Sequence, residues 1–375
     1  ALAHNGNLIN SYELRSEFEA KGSIFHTTSD TEVIAHTIIE ERLKADTIEE
    51  AVCKAMNRIK GAYSMVIMSP QKLIAARDKN GFRPLCYGKM ANGEYVVASE
   101  SCSLDSVGAE FIRDIEKGEI VVFGKDGITS IKKHCNKSKQ TLCVFEYIYF
   151  ARPDSIIDGK NVYEARIKAG EILAKENPVN ADIVVGVPDS GLDAALGYSK
   201  ASEIPYGIGL IKNKYIGRTF IHPEVKSRMD KVKIKLNPMA NVVKGKRVIL
   251  IDDSIVRGTT SGRIVKLLRE AGAIEVHMRV SAPPFVNPCY YGIDIDSKDN
   301  LIACKYTIEE IAKKIGADTL GYLSLEGVKK IGYVNEKSGF CIACFDGNYP
   351  TKIPTEKFKN RFERKINNID EEKSK

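Results

Sequence analysis

At 375 residues the chain is long enough for roughly two to three domains with their own hydrophobic cores, which excludes a miniature fold dependent on disulfides. Hydrophobic residues are 43% and charged residues 28% of the chain, and no window approaches the ~18 uninterrupted apolar residues of a spanning helix, which excludes a helical membrane protein. A formal net charge of +7 suits small polyanionic ligands and falls short of a dedicated nucleic-acid binder.

The chain opens with Ala1-Leu2-Ala3-His4-Asn5-Gly6-Asn7, without an initiator Met, and reads as a fragment or processed form cut from within a domain. Up to about Lys139, β-rich runs such as Ala62–Met68 and Tyr95–Ala98 mix with two helical patterns, Thr31–Leu43 and Ile48–Ile59, predicting an α+β layer. Asn80-Gly81, Asn92-Gly93 and Lys125-Asp126-Gly127 mark turns, and the Lys-rich stretch Lys132–Lys139 marks a boundary.

From about Asp182 the rhythm changes. Short apolar runs, Ile183–Val187, Val248–Ile251 and Val276–Val280, are each followed by a helical pattern, as parallel strands covered on both faces are. After the second run, Ile264, Leu267, Leu268 and Ala271 form one apolar helix face, and Gly272 ends it. This half is predicted to be α/β. The last stretch, Lys352–Lys375, is rich in Lys, Glu, Asn and Asp and reads as a solvated helix or tail.

The most informative string runs from Val248 to Ser261: a buried strand, the acidic pair Asp252-Asp253, then Ser254-Ile255-Val256-Arg257-Gly258-Thr259-Thr260 opening a helix. Loop amides, hydroxyls and the positive end of the helix suit a phosphate monoester, with Gly258 letting the backbone approach the anion. Carboxylates repel phosphate, so Asp252 and Asp253 suit sugar hydroxyls or a Mg²⁺ held jointly with the ligand. No G-x-x-x-x-G-K-[ST] occurs, and Gly207-Ile208-Gly209-Leu210-Ile211-Lys212 has Lys where G-x-G-x-x-G needs its third Gly.

Val248–Thr260 resembles the thirteen-residue signature of the type I phosphoribosyltransferases, which bind phosphoribosyl diphosphate (PRPP). The resemblance implies that the loop after the acidic pair holds the 5′-phosphate. It also implies that an earlier strand-end loop, matched by Val187-Pro188-Asp189-Ser190-Gly191, holds pyrophosphate, with Ser190 beside Asp252 and Asp253 as a Mg²⁺ neighbour. Between them, Lys212–Phe220 resembles the flap that closes over PRPP, with Lys212, Arg218 and Thr219 placed to neutralise departing pyrophosphate.

Ala3–Leu8 and Thr27–Glu32 are similar to the glutaminase domain of the N-terminal-nucleophile amidotransferases, supported by Gly61–Ser64 and Ala76–Leu85. The resemblance implies that Asn5 and Gly6 form an oxyanion hole and that Asp30 binds the glutamine amino group, roles that suit an amide donor, a backbone N–H and a carboxylate. Taken alone, Asn5-Gly6 reads as a hairpin turn and Ser29-Asp30 as a helix cap. The family's nucleophile is an N-terminal Cys, matched by no residue here, so the chain as it stands is expected not to hydrolyse glutamine.

Together with the junction Glu146–Ser155, the two halves resemble the amidophosphoribosyltransferase family, in its iron-sulfur branch. The implied fold is a partial class II glutaminase domain (1–140), a type I phosphoribosyltransferase domain with a parallel sheet (141–350) and a charged tail (351–375). The implied reaction is transfer of ammonia, from glutamine in the intact enzyme, to PRPP, giving 5-phosphoribosylamine for purine synthesis. Feedback inhibition by purine nucleotides and a homo-oligomer, dimer or tetramer, are implied as well. A PRPP-binding regulator or a nucleobase phosphoribosyltransferase are the alternatives.

Nine cysteines, an odd number without a secretory leader pattern, point to a reducing, cytoplasmic compartment. Cys341-Ile342-Ala343-Cys344 alone fits a redox motif, half a zinc site, or no functional role. The iron-sulfur resemblance instead implies a four-iron, four-sulfur cluster on Cys143, Cys289, Cys341 and Cys344, with Cys135 and Cys304 as competing ligands. Cys53, Cys86 and Cys102 read as buried, inert thiols.

Overall fold

The structure is a computed structural model that describes residues 1–213, 236–295, 297–333 and 339–354. The chain divides into two compact units: Ala1–Leu142 with Tyr290–Ile293 and the described residues from Tyr349, and Cys143–Cys289 with Asp294–Asn348.

In the first unit, β1 (Leu2–Leu8), β2 (Gly61–Met68), β3 (Leu73–Arg77), β7 (Ile120–Gly124) and β8 (Gly127–Ile131) form an antiparallel sheet in the order β1-β2-β3-β7-β8. The strand period of two sorts their side chains by face. Tyr63, Met65, Ile74, Ala76, Ile120 and Val122 point to one side, where they pack with α1 (Ser11–Ala20), α2 (Asp30–Arg42) and α3 (Ile48–Ala55) through Phe18, Ile34 and Val52. Ala75, Val121 and Phe123 point to the other side and meet Leu85 and Tyr87. Tyr87 belongs to β4 (Cys86–Lys89), which with β5 (Tyr95–Ala98) and β6 (Glu110–Asp114) makes a second sheet in the order β5-β4-β6. That second sheet is backed by α4 (Ser101–Ser106), through Leu104 against Cys86 and Ala109. The layers therefore run helix, sheet, sheet, helix.

Two helices of this unit depart from the sequence expectation. The α1 helix buries only Leu14 and Phe18, and α4 is six residues long, so neither displays a sustained apolar stripe. The expected helix to Ile59 ends at Ala55, capped at its start by Thr47. The Lys-rich stretch Lys132–Lys139 carries two buried side chains, His134 and Cys135.

In the second unit, β9 (Ile183–Gly186), β12 (Arg247–Asp252), β13 (Glu275–Val280) and β14 (Thr319–Tyr322) form a parallel sheet in that order. A two-stranded ribbon, β10 (Leu210–Lys212) with β11 (Leu236–Pro238), stands apart from it. Helices α7 (Thr259–Glu270) and α8 (Ile308–Ile315) bury Ile264, Leu268, Ile311 and Ile315 against Val248, Leu250 and Met278. Helices α5 (Val162–Glu176) and α6 (Gly191–Ser202) pack on each other, and α6 packs on β9 and β12. With helices on both faces the central strands have no polar side to show, which is why Val248–Ile251 reads as a continuous apolar run. Because the strands are parallel and Gly186 pairs with Ile251 while Asp252 pairs with Val280, the loops that follow them emerge at one end of the sheet.

Candidate functional site

Asp252 is the last residue of β12, and Asp253 begins the loop that leaves it; both side chains are buried. Burial, and then the neighbouring Asp253, push the Asp252 carboxyl well above the usual range. Burial also raises Asp253, against which the Ser190 and Ser254 hydroxyls and the Arg166 charge favour its ionised form. Ser190 Oγ donates to Asp253 Oδ2 and Ser254 Oγ to Asp253 Oδ1, while the Asp253 amide donates to Asp252 Oδ1 at 3.0 Å.

The Ser190–Asp253 bond joins the two strand-end loops that the sequence singled out separately. Their approach depends on Gly191, the first residue of α6: a Cβ there would stand 2.5 Å from the Ile251 carbonyl oxygen. Pro188 is half-buried and Asp189 exposed; Asp189 accepts an ion pair from Lys212 Nζ at the end of β10. Arg218 and Thr219 lie outside the described residues.

Beyond Asp253, Ile255 is buried and anchors the loop, and the Val256 carbonyl accepts from the Ile302 amide at 2.9 Å. Arg257, Thr259 and Thr260 are exposed. Gly258 is the N-cap of α7 with φ +79°, a left-handed conformation that favours glycine, and no side chain caps the helix. Neither Thr259 nor Thr260 is the cap, and among the described residues no side-chain cap hydrogen bond is made to the first turn of α7.

In the first unit, Asn5 and Gly6 lie within β1, paired with Ser64 and Tyr63, so they form no hairpin turn. Asp30 opens α2, and its Oδ2 accepts the Leu8 amide at 2.9 Å while His4 Nδ1 stands 3.5 Å from Oδ1. Burial pulls this carboxyl up, but His4 and the Leu8 and Thr31 amides together hold it below its ordinary value. Ser29 is the helix cap, accepting from the Thr31 amide, which leaves Asp30 a separate role. The segment Tyr290–Ile293, read as part of the second half, belongs here: Asn7 Nδ2 donates to the Tyr290 carbonyl at 2.9 Å, and Tyr291 stacks on Phe82 with ring centroids 4.2 Å apart.

All nine cysteines are free thiols. Cys143, Cys289, Cys341 and Cys344 all belong to the second unit, whereas Cys135 belongs to the first. Burial, then the Cys143 sulfur, with Cys289 also contributing, pushes the Cys341 thiol far up; Cys344 is raised by burial, then by Cys143, Cys289 and Cys341. Cys143 and Cys289 thus both act on the Cys341/Cys344 pair, and Cys344 shares its carbonyl between the Val286 and Asn287 amides. Cys304 is exposed, its thiol turned to the Val286 carbonyl. The Cys341/Cys344 pair straddles the two-residue strand Phe340–Cys341 and the one-turn helix Ala343–Asp346, outside the parallel sheet.

Among the described residues no three His, Cys, Asp or Glu side chains stand close enough to hold one metal ion. Asp252 and Asp253 fit part of a shell in which a hard cation takes about six oxygens, the others coming from substrate and water. A four-iron cluster would put each thiolate on a different iron.

A family model described as a glutamine amidotransferase domain matches residues 1–106, and one described as a phosphoribosyl transferase domain matches residues 155–313. Amidophosphoribosyltransferase of Bacillus subtilis (strain 168) is 51% identical over 356 residues, 94% of this chain and 74% of the relative. This chain belongs to the amidophosphoribosyltransferase family. The amidophosphoribosyltransferase of Archaeoglobus fulgidus is 48% identical over 357 residues, 95% of this chain and 78% of the relative. A solved structure described as glutamine PRPP amidotransferase from B. subtilis complexed with ADP and GMP superposes with a TM-score of 0.86 at 51% identity, covering 94% of this chain and 77% of that one. As an amidophosphoribosyltransferase the chain is a pentosyltransferase of the first committed step of purine nucleotide synthesis, with a glutamine amidotransferase domain ahead of its phosphoribosyltransferase domain. No described helix is long and apolar enough to cross a membrane.

Proposed function

We propose that PRPP binds across the C-terminal end of the parallel sheet, with its 5′-phosphate on Ser254–Thr260 and the α7 amides and its pyrophosphate on Pro188–Gly191. Asp252 and Asp253 address the ribose hydroxyls and, with Ser190, would hold a Mg²⁺, which would supply positive charge toward the pyrophosphate. The single observation that carries this reading is the Ser190–Asp253 hydrogen bond, which unites the two loops. Ammonia then attacks the anomeric carbon with its lone pair as the bond to pyrophosphate breaks, pyrophosphate keeping that electron pair and the new ammonium losing a proton to solvent. This chain's part is to hold PRPP in line and exclude water. Lys212 starts the process paired with Asp189, and Lys212, Arg218 and Thr219 are the flap residues assigned to the departing pyrophosphate.

In the first unit Asn5 and Gly6 are assigned to the oxyanion of glutamine hydrolysis and Asp30 to the glutamine ammonium, which its depressed carboxyl pKa supports. Cys143, Cys289, Cys341 and Cys344 are the proposed thiolates of a structural four-iron, four-sulfur cluster, supported by the electrostatic influence of Cys143 and Cys289 on the Cys341/Cys344 pair. Purine nucleotides share the ribose 5-phosphate handle and are proposed as feedback inhibitors at the same loop; the ADP and GMP complex of the B. subtilis relative supports this. Nine free thiols support a reducing, cytoplasmic compartment. A homo-oligomer is proposed from the family alone.

The test is equilibrium binding of PRPP with and without Mg²⁺. The site predicts Mg²⁺-dependent binding that Ser190→Ala weakens and Asp253→Asn abolishes in folded protein. Equal binding by all three proteins would place the ligand elsewhere.

A further inference from the structure

Behind the acidic pair stands a buried cation that the reaction as described leaves unused. Arg166 lies on α5, where helix α5 and helix α6 cross so closely that a Cβ on Gly170 would stand 1.9 Å from the Ala194 carbonyl oxygen and one on Gly197 would stand 2.0 Å from that of Ile167. The crossing carries Arg166, a residue only 4% exposed, to the first turn of α6. Its Nη1 is 3.6 Å from Asp193 Oδ2, a buried oxygen for which no other hydrogen-bond partner stands among the described residues. On its other side Nε donates to the Tyr147 carbonyl at 2.9 Å and Nη2 to the Ala151 carbonyl at 2.7 Å, within the junction Glu146–Ser155. Asp193 stands three residues after Ser190, whose hydroxyl holds Asp253, and the Arg166 charge acts on Asp253 as well.

We propose that Arg166 is a positioning residue for the PRPP site: tethered to the junction carbonyls, it supplies the buried positive charge that holds Asp193, and with it the first turn of α6 and the Ser190 loop, in register. Three buried or half-buried carboxylates, Asp193, Asp252 and Asp253, otherwise share one end of the sheet, and removing a buried counter-charge is costly. Arg166 lies on α5, outside the loops assigned to PRPP, so its effect passes through them. The inference rests on the assignment of PRPP to those loops.

The test is ammonia-dependent pyrophosphate release over a range of Mg²⁺·PRPP concentrations. Arg166→Met is expected to raise KM for Mg²⁺·PRPP by roughly tenfold, a scale set by slight misplacement of binding groups, with kcat little changed. Arg166→Lys keeps the charge and is expected to recover most of that loss. Should Arg166→Met not fold, Asp193→Asn removes the anchor on α6 while keeping its shape and is expected to raise KM by a smaller factor. An unchanged KM in Met and Asn variants, a fall in kcat at fixed KM, or Lys no better than Met would each overturn the proposal. A native chain that releases no pyrophosphate would overturn the site assignment beneath it instead.

Discussion

Replacing Gly191 by Ala tests whether close packing places Ser190. The new methyl carbon would stand 2.5 Å from the Ile251 carbonyl oxygen, which must retreat by about 0.9 Å to reach the 3.4 Å of an ordinary contact. That oxygen is backbone in the central strand and already accepts the Val187 amide at 2.8 Å, so it cannot yield like a flexible side chain. Overpacking of this kind costs roughly 1–3 kcal/mol, which in a domain of this size lowers Tm by about 2–12 °C. The helix start, and Ser190 with it, shifts by a comparable distance, and displacement of a binding group by about 1 Å costs on the order of a hundredfold in kcat/KM. Thermal unfolding and pyrophosphate release measure both. Gly262→Ala is the control, since its Cβ would meet nothing closer than the Ile315 Cα at 3.4 Å and alanine favours a helix by about 1 kcal/mol. Gly191→Ala behaving like Gly262→Ala, with undiminished Tm and kcat/KM, would show that close packing at Gly191 does not place Ser190.

The acidic pair yields a pH prediction. Burial raises both carboxyls in the folded state, so the fold prefers them protonated, and the stability they contribute is present at acid pH and lost as pH rises through their elevated values. Asp252→Asn is therefore expected to abolish pyrophosphate release while raising the Tm of ligand-free protein more at pH 8 than at pH 5; a variant less stable than the native chain at pH 8 contradicts this. Asp30 has the opposite sign: its lowered carboxyl stabilises the fold above the ordinary carboxylate range and ceases to do so on acidification. Asp30→Asn, losing the charged acceptor of the Leu8 amide, is expected to cost about 1 kcal/mol at neutral pH and less in acid, read by denaturant unfolding. For the thiols, Cys341→Ser or Cys344→Ser is expected to abolish iron and sulfide incorporation in anaerobically purified protein, while Cys135→Ser and Cys304→Ser retain it. Iron lost from Cys304→Ser but kept in Cys344→Ser would reverse the ligand assignment.

What could be read in the sequence was local. The run Val248–Ile251 with its acidic pair, and the face Ile264, Leu267 and Leu268, are segments whose own pattern carries the structure, and these are buried as that pattern requires, while Ala271, the last residue of the expected face, is half-buried at the helix C-cap. What could not be read depends on partners far along the chain. Ser190 and Asp253 are 63 residues apart, and the Cys53 sulfur meets His134 Nε2 at 3.5 Å across 81 residues. His134 was hidden among lysines, whose charge suggested a solvated boundary. Tyr290–Ile293 sits in a stretch that composition assigns to the second half, yet its backbone bonds to Asn7 and Arg83. Arg166 occupies an ordinary position of a helical pattern, and nothing in its neighbours announces that α5 delivers it to Asp193.

The most direct test of the account is pyrophosphate release from PRPP and Mg²⁺ by anaerobically purified protein with ammonia as nitrogen donor, compared with the Asp252→Asn/Asp253→Asn variant. The native chain is expected to release pyrophosphate and the folded variant none. Equal release by the two, or tight Mg²⁺·PRPP binding by the native chain with no release, would contradict it.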